Sequence, residues 1–241
     1  MSTLIYDAKT ENYESARVER TPFDEALRLL AAAGLSLIPA HLNALLRRKL
    51  GPKAFIFGKG NYVEQGIFRT PSGIYFTNNS PVLAHPGEAT AAHRQRQPFM
   101  ASQEDIARAL EDAVKVTRTA IPVNELADDP VGQFLFHDEA GPYGEFLLSQ
   151  TNIHVIPIHV SLAEGEADQL WFDRLDGKFG LYGGNRYLDY GDRVRGVREV
   201  GTTGAAPNSE HYSPSQIAVA FETQKLPGLE KILEELRKKP K

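Results

Sequence analysis

The sequence predicts an α+β protein: amphipathic helical patterns dominate up to residue 50, strand patterns dominate from residue 153 onward, and no β-α-β alternation links them. A short strand is expected at Leu4–Ala8. Thr21-Pro22 then opens a helix, with Thr as N-cap, Pro at the first helical position and Asp24 and Glu25 in the first turn. Phe23, Leu27 and Leu30, with Ala26 and Ala33, form its apolar stripe, and Gly34 ends it. A second helix is expected after Pro39, turning Leu42, Leu45, Leu46 and Leu50 inward and Arg47, Arg48 and Lys49 outward, before Gly51-Pro52 stops it.

Short strands are expected at Ala54–Phe57 and Gly73–Thr77, followed by a polar arm from Pro81 to Pro98. Ser102 caps a third helix, with Asp105 placed for a capping-box-like contact and Ile106, Leu110, Ala113 and Val114 on one face. Ile153–Leu162 is the clearest strand, because Ile156, Ile158, Val160 and Leu162 alternate with a face carrying His159 and Ser161. Pro157 suggests an edge strand or a bulge there. Further strands are expected near 170–175, 194–200 and 216–223, with a closing helix through Leu229, Ile232, Leu233 and Leu236. The expected core rests on Leu27, Leu30, Leu45, Ile156, Ile158, Trp171 and Val197.

A chain of 241 residues can bury a substantial core without staples. It contains no cysteine, which excludes disulfides, thiolate nucleophiles and thiolate metal sites. The net charge of −4 argues against a broad polyanion-binding face, so nucleic acid is not an expected partner. No window approaches the roughly 18 apolar residues of a membrane span, and the first twenty residues lack a signal-peptide core. The expectation is a soluble chain with no membrane insertion, cytoplasmic or associated with a surface or virion through a partner.

The most informative stretch is Gln169–Val200, with one Trp, three Tyr, two Phe and glycines at 177, 180, 183, 184, 191 and 196. Tyr, Asn, Asp and Arg on glycine-hinged loops supply contact area and hydrogen bonds at low entropic cost, which points to recognition rather than a reaction.

Two segments carry a family resemblance. TPFDEALRLLAAAGLSLIPAHLNALL (21–46) resembles the first helix of a C-type-lectin-like fold and the entry into its second. LWFDRLDGKFGLYGGNRYLDYGDRVRGVR (170–198) resembles its carboxy-terminal signature: an aromatic strand, a Gly-Gly-Asn loop and a last strand at Arg193-Val194-Arg195-Gly196-Val197-Arg198. The branch it resembles contains formylglycine-generating enzymes and the variable proteins of diversity-generating retroelements. The resemblance implies one domain over 1–241, two early helices, a late antiparallel sheet with glycine-rich ligand-binding loops, an insertion at about 51–150 and a C-terminal strand–helix extension. It covers roughly a quarter of the chain.

Formylglycine generation needs cysteine, and none is present. Calcium-dependent sugar binding uses EPN or QPD together with WND; here Gln97-Pro98-Phe99 and Trp171-Phe172-Asp173 do not complete that oxygen set. What the resemblance leaves is a non-enzymatic, cofactor-free binder of protein or glycan. By position it implies a ligand-binding surface, open to hypervariation, of Asp173, Arg174, Asp176, Tyr182, Asn185, Arg186, Tyr187, Asp189 and Tyr190. The plainer reading of the same residues is a β-meander whose turns need Gly, Asn and Asp, with tyrosines half-buried on its face.

Other constellations are weaker. His85, Glu88 and His93, with His137-Asp138-Glu139, are metal-type donors, but their spacing does not converge on a helix, and a solvated loop explains them. His154 and His159, five apart on a strand, fall on opposite faces. Gly73–Thr77 (GIYFT), Ser80 and Glu164-Gly165-Glu166 resemble parts of an NAD-dependent ADP-ribosyltransferase, the enzyme alternative; a fixed-partner interaction module is the other. Gly58-Lys59-Gly60 is too short for a phosphate loop. The arginines at 193, 195 and 198 form a basic stripe that Asp189, Asp192 and Glu199 are placed to neutralise.

Overall fold

The computed structural model describes residues 3–175, 179–184, 188–189 and 193–200. The strand expected at 216–223 and the closing helix lie outside the described residues. β1 (Thr3–Lys9) and β2 (Tyr13–Glu19) form an antiparallel pair. α1 (Phe23–Ala32) follows and buries Phe23, Ala26 and Leu30, with Leu27 and Ala33 half-buried at the margins of the stripe. It starts one residue later than the Thr-Pro signal suggests. Pro22 is the N-cap, and the Thr21 hydroxyl donates to the Glu19 carbonyl instead of capping. After β3 (Ser36–Leu37), α2 (Ala40–Leu50) ends at Gly51, whose φ of +71° is readily adopted only without a Cβ. α2 turns Asn43, Ala44, Leu46 and Arg47 inward, while Leu45 is only half-buried. Arg47, expected in solvent, is fully buried.

The middle departs furthest from expectation. α3 (Phe55–Gly58) replaces the strand expected at Ala54–Phe57 and buries Ile56 and Phe57 on one turn. β4 (Asn61–Thr70) follows, a strand the sequence pattern does not announce, and β5 (Gly73–Thr77) pairs with it as a hairpin. The polar arm folds into α4 (Pro81–Ala84) and α5 (Pro86–Arg94), each opened by a proline that forfeits no intrahelical bond there. β6 (Phe99–Met100) leads to α6 (Gln103–Leu110), where Ser102 Oγ accepts from the Asp105 N–H at 3.1 Å and donates to its carboxylate at 2.6 Å. α6 turns Asp105 and Ala109 inward and leaves Leu110 exposed. β7 (Val114–Lys115), β8 (Ala120–Pro122), α7 (Pro130–Phe136) and α8 (Ala140–Thr151) complete this part, with 3-10 turns at Val123–Glu125 and His137–Glu139.

β9 (Val155–Val160), β10 (Glu166–Phe172), β11 (Leu181–Gly183) and β12 (Val194–Glu199) close the described chain. The strand order is β1-β2-β12-β4-β10-β11-β9-β8. The sheet is mixed rather than antiparallel: β11 runs parallel to β9, and β12 meets β4 in a parallel contact at Val194 and Tyr62. Pro157 is not on an edge, because β9 lies between β11 and β8. Residues 51–150 do not stand apart from this sheet, since β4 lies between β12 and β10.

Side chains alternate across β4 and β10, and both faces are covered. Val63, Ile67, Leu170 and Phe172 enter one cluster with α2, α7 and α8, including Leu46, Leu135, Phe136 and Leu147. Tyr62, Phe68, Ala167 and Trp171 enter a second with α1, α5 and α6, including Phe23, Leu30, Ala89 and Ala109. Two-sided burial removes the polar face that normally makes a strand visible in sequence.

Candidate binding site

The described residues of the aromatic stretch form the rim of this sheet. β10 runs out at Phe172, the chain returns as β11 with Trp171 opposite Tyr182 and Phe172 opposite Leu181, and it comes back at Arg193 to enter β12. Gly183 and Gly184 leave little room for side chains. A Cβ on Gly183 would sit 2.6 Å from Ile67 Cγ2, and one on Gly184, at φ +82°, would sit 2.2 Å from the Ser161 carbonyl oxygen.

Fixed side chains from the scaffold grip this rim mostly by its main chain. Arg47 Nη1 donates to the Asp173 carbonyl at 2.6 Å, and Nη2 donates to the Lys59 carbonyl at 3.2 Å. Its guanidinium lies 4.6 Å from the Phe172 ring centroid and 5.8 Å from that of Phe179, so carbonyl dipoles and aromatic faces take the place of water around the charge. Burial lowers the Arg47 pKa, and burial pushes the neighbouring Tyr143 hydroxyl up to about 12. Asp168, buried in β10, accepts the Gly184 N–H at 2.5 Å and its successor's N–H at 2.8 Å. His93 Nδ1 accepts the Leu188 N–H at 3.2 Å, and the Leu188 carbonyl accepts from the Phe23 N–H at 2.8 Å. The Arg193 carbonyl accepts from the Tyr62 N–H at 3.0 Å.

Gln169 secures the strand behind the rim. Its Nε2 reaches the carbonyls of Val63, Glu64 and Gln65, and its Oε1 accepts from Ser80 Oγ at 2.9 Å, where the β10–β4 register shifts.

The positions expected to contact ligand divide. Arg174 is exposed, and Tyr182 and Asp189 are half-buried. The Tyr182 ring stacks on His159 at 4.7 Å. Asp173 is a correction: only 8% exposed, its Oδ1 accepts from the Arg174 N–H at 2.9 Å and from Trp171 Nε1 at 3.3 Å, so it organises the turn rather than facing outward. Asp176, Asn185, Arg186, Tyr187 and Tyr190 lie outside the described residues. A cleft of about 210 Å³ opens beside Gly184, lined by His93, Arg96, Phe99, Leu162, Glu166 and Asp168 among others.

Among the described residues the basic stripe is paired from β1 and β2. Arg193 pairs with Glu19, Arg195 with Asp7 and Arg198 with Glu14. Arg195 is itself buried. Burial pushes the Glu19 carboxyl up, but Arg193 and Arg17 outweigh it and hold the group below its ordinary value. His85 pairs with Asp105 and Glu88 instead of converging with His93, and Glu166 accepts the Ala163 N–H through Oε2. Among the described residues no helix is long and apolar enough to cross a membrane.

No protein-family model matches this chain, and no curated protein matches it. Among solved structures it is similar to a protein described by the words "Accommodation of massive sequence variation in Nanoarchaeota by the C-type lectin fold", with a TM-score of 0.56 at 16% identity. The similarity covers 81% of this chain and 98% of that one. The fold is therefore C-type-lectin-like.

Proposed function

We propose that this chain is a ligand-binding protein of the retroelement variable type, displaying an exchangeable loop surface within 173–193 to a protein or glycan. The observation that carries this reading is how the rim is held. Arg47, Asp168 and His93 bond to main-chain atoms of Asp173, Gly184 and Leu188, and β4 receives the Arg193 carbonyl the same way. Every amino acid except proline offers the same main-chain N–H and C=O. Side chains between these holds can therefore change while the backbone stays placed, which is the division of labour a variable binder requires. The nanoarchaeal structure supports the reading, because its fold is described as accommodating massive sequence variation. Tyr, Asn, Asp and Arg are the types that bind most adaptably from such loops.

Deep sequencing of this gene across a natural population tests the proposal. Substitutions should concentrate at Arg174, Asp176, Tyr182, Asn185, Arg186, Tyr187, Asp189 and Tyr190, while Arg47, His93, Asp168, Gly183, Gly184 and Leu188 stay constant. Substitutions spread evenly over the exposed surface would end the variable-binder reading.

A further inference from the structure

We infer that His93 is a positioning residue that latches the chain at Leu188 through its neutral imidazole, so that Leu188 is held near neutral pH and released in mild acid. The inference rests on the reading of 173–193 as the binding surface and adds a regulation to it. A main-chain N–H can only donate, so the bond from Leu188 at 3.2 Å requires a lone pair on His93 Nδ1. That places the ring proton on Nε2. A second proton can then go only to Nδ1, which turns the acceptor into a donor facing a donor and breaks the bond. Histidine is the side chain that makes this change between about pH 5 and 8.

The geometry gives the change leverage. His93 is 9% exposed, and Leu188 is 1% exposed, seated among the second core cluster with Phe23, Ala89 and Phe99. A buried N–H that loses its acceptor is costly, and relieving that cost favours drawing Leu188 out of the core. The Asp168–Gly184 hold next to it is a separate bond that involves no imidazole. Among the described residues, charged groups near His93 include Arg94 at the end of its own helix, Arg96 just past it and, at the other end, His85 and Glu88. Glu166 and Asp168 of β10 share its cleft, Asp24 and Glu25 come from α1, and Asp189 follows Leu188.

Hydrogen exchange by NMR tests the latch without any ligand. The Leu188 amide protection factor should fall at least about tenfold between pH 7.5 and 5.5 in the wild-type protein, while amides in the centre of β4 keep theirs. His93→Asn, whose Oδ1 stands near the Nδ1 position and does not titrate, should keep Leu188 protected at both pH values. A long-range ¹H–¹⁵N spectrum of wild-type protein at pH 7.5 should show the His93 proton on Nε2; this reading survives even where the variant fails to fold. Equal Leu188 protection at both pH values, an Nδ1-protonated ring, or a His93→Asn variant that loosens as the wild type does would each overturn the latch. Even sequence variation over the surface would remove the binding reading and leave the exchange result standing.

Discussion

Arg47 and Asp173 stand 126 positions apart, yet the guanidinium of one donates to the main-chain carbonyl of the other at 2.6 Å inside the protein. The carboxylate of Asp173 is turned to Trp171 Nε1 and the Arg174 N–H instead. The cation is thus spent on fixing backbone. Arg47→Leu should cost about 2–4 kcal/mol, because buried carbonyls lose a charged donor. Arg47→Lys, lacking the planar fork that reaches both Asp173 and Lys59, should still lose about 1–2 kcal/mol. Urea unfolding checks both; a variant within about 0.5 kcal/mol of wild type would mean the clamp is dispensable.

Asp173 and Arg174 are neighbours with opposite roles. Asp173→Ala should cost about 1–2 kcal/mol through the hydrogen bonds that the Trp171 indole N–H and the Arg174 amide lose. Arg174→Ala, exposed, should stay within about 0.5 kcal/mol. Equal costs in thermal unfolding would contradict the placement of Asp173 among the structural residues.

Gly184→Ala should be costly, by about 2 kcal/mol or more, since the new Cβ meets the Ser161 carbonyl oxygen at a positive φ. Gly87→Ala is the control. It lies in α5, where an added methyl would meet no other atom within 4 Å, and it should gain a few tenths of a kcal/mol, about what helix propensity provides. Chemical denaturation of the two variants separates a steric need for glycine from a merely tolerated one.

Acid should weaken the seam between β2 and β12. The Glu19 carboxyl is held below its ordinary value in the folded protein by Arg193 and Arg17 against the opposing effect of burial. A depressed carboxylate contributes stability that is fully present above its unfolded pKa and is lost as pH falls through its folded pKa. The advantage of wild type over Glu19→Gln should therefore be constant near neutrality and shrink below about pH 4.5. An advantage unchanged down to pH 3 would mean the carboxylate is not stabilised by its arginines.

α1 and β9 were legible because each carries an apolar pattern that matches its buried face, closed by Gly34 in one case and built on the Ile156–Ile158 alternation in the other; α2 and α6 were legible by their boundaries, Gly51 and Ser102, while their inward faces, which include Asn43, Arg47 and Asp105, were not. β4 was illegible for the opposite reason. Both its faces are buried, and its polar members are satisfied by partners far away in sequence, as Asn61 is by Asn43 and Gln65 by the Ala40 N–H. α4 and α5 read as a loop because helices of four and nine residues show too few turns to establish a stripe.

Of the candidate site, the sequence drew attention to a stretch and not to what holds it. Aromatic and glycine content marked the rim at 170–193, but the residues that hold it come from α2, α5 and β10. Arg47 sits in an Arg-Arg-Lys run that reads as a solvated face, and only the Asp173 carbonyl and the Phe172 ring make it an inward residue. The better signal was Asp168-Gln169, two polar residues inside an apolar strand, both now found buried and bonded.

β4 and β10, walled in on both sides, give the two hydrophobic clusters a common partition. A cavity opened on one side of that partition, at Phe172 for instance, shifts the backbone from which Trp171 projects into the other. The halves of this region should not melt in turn. They should share a single cooperative transition, with the last amides to exchange lying along the partition itself rather than in either helical layer.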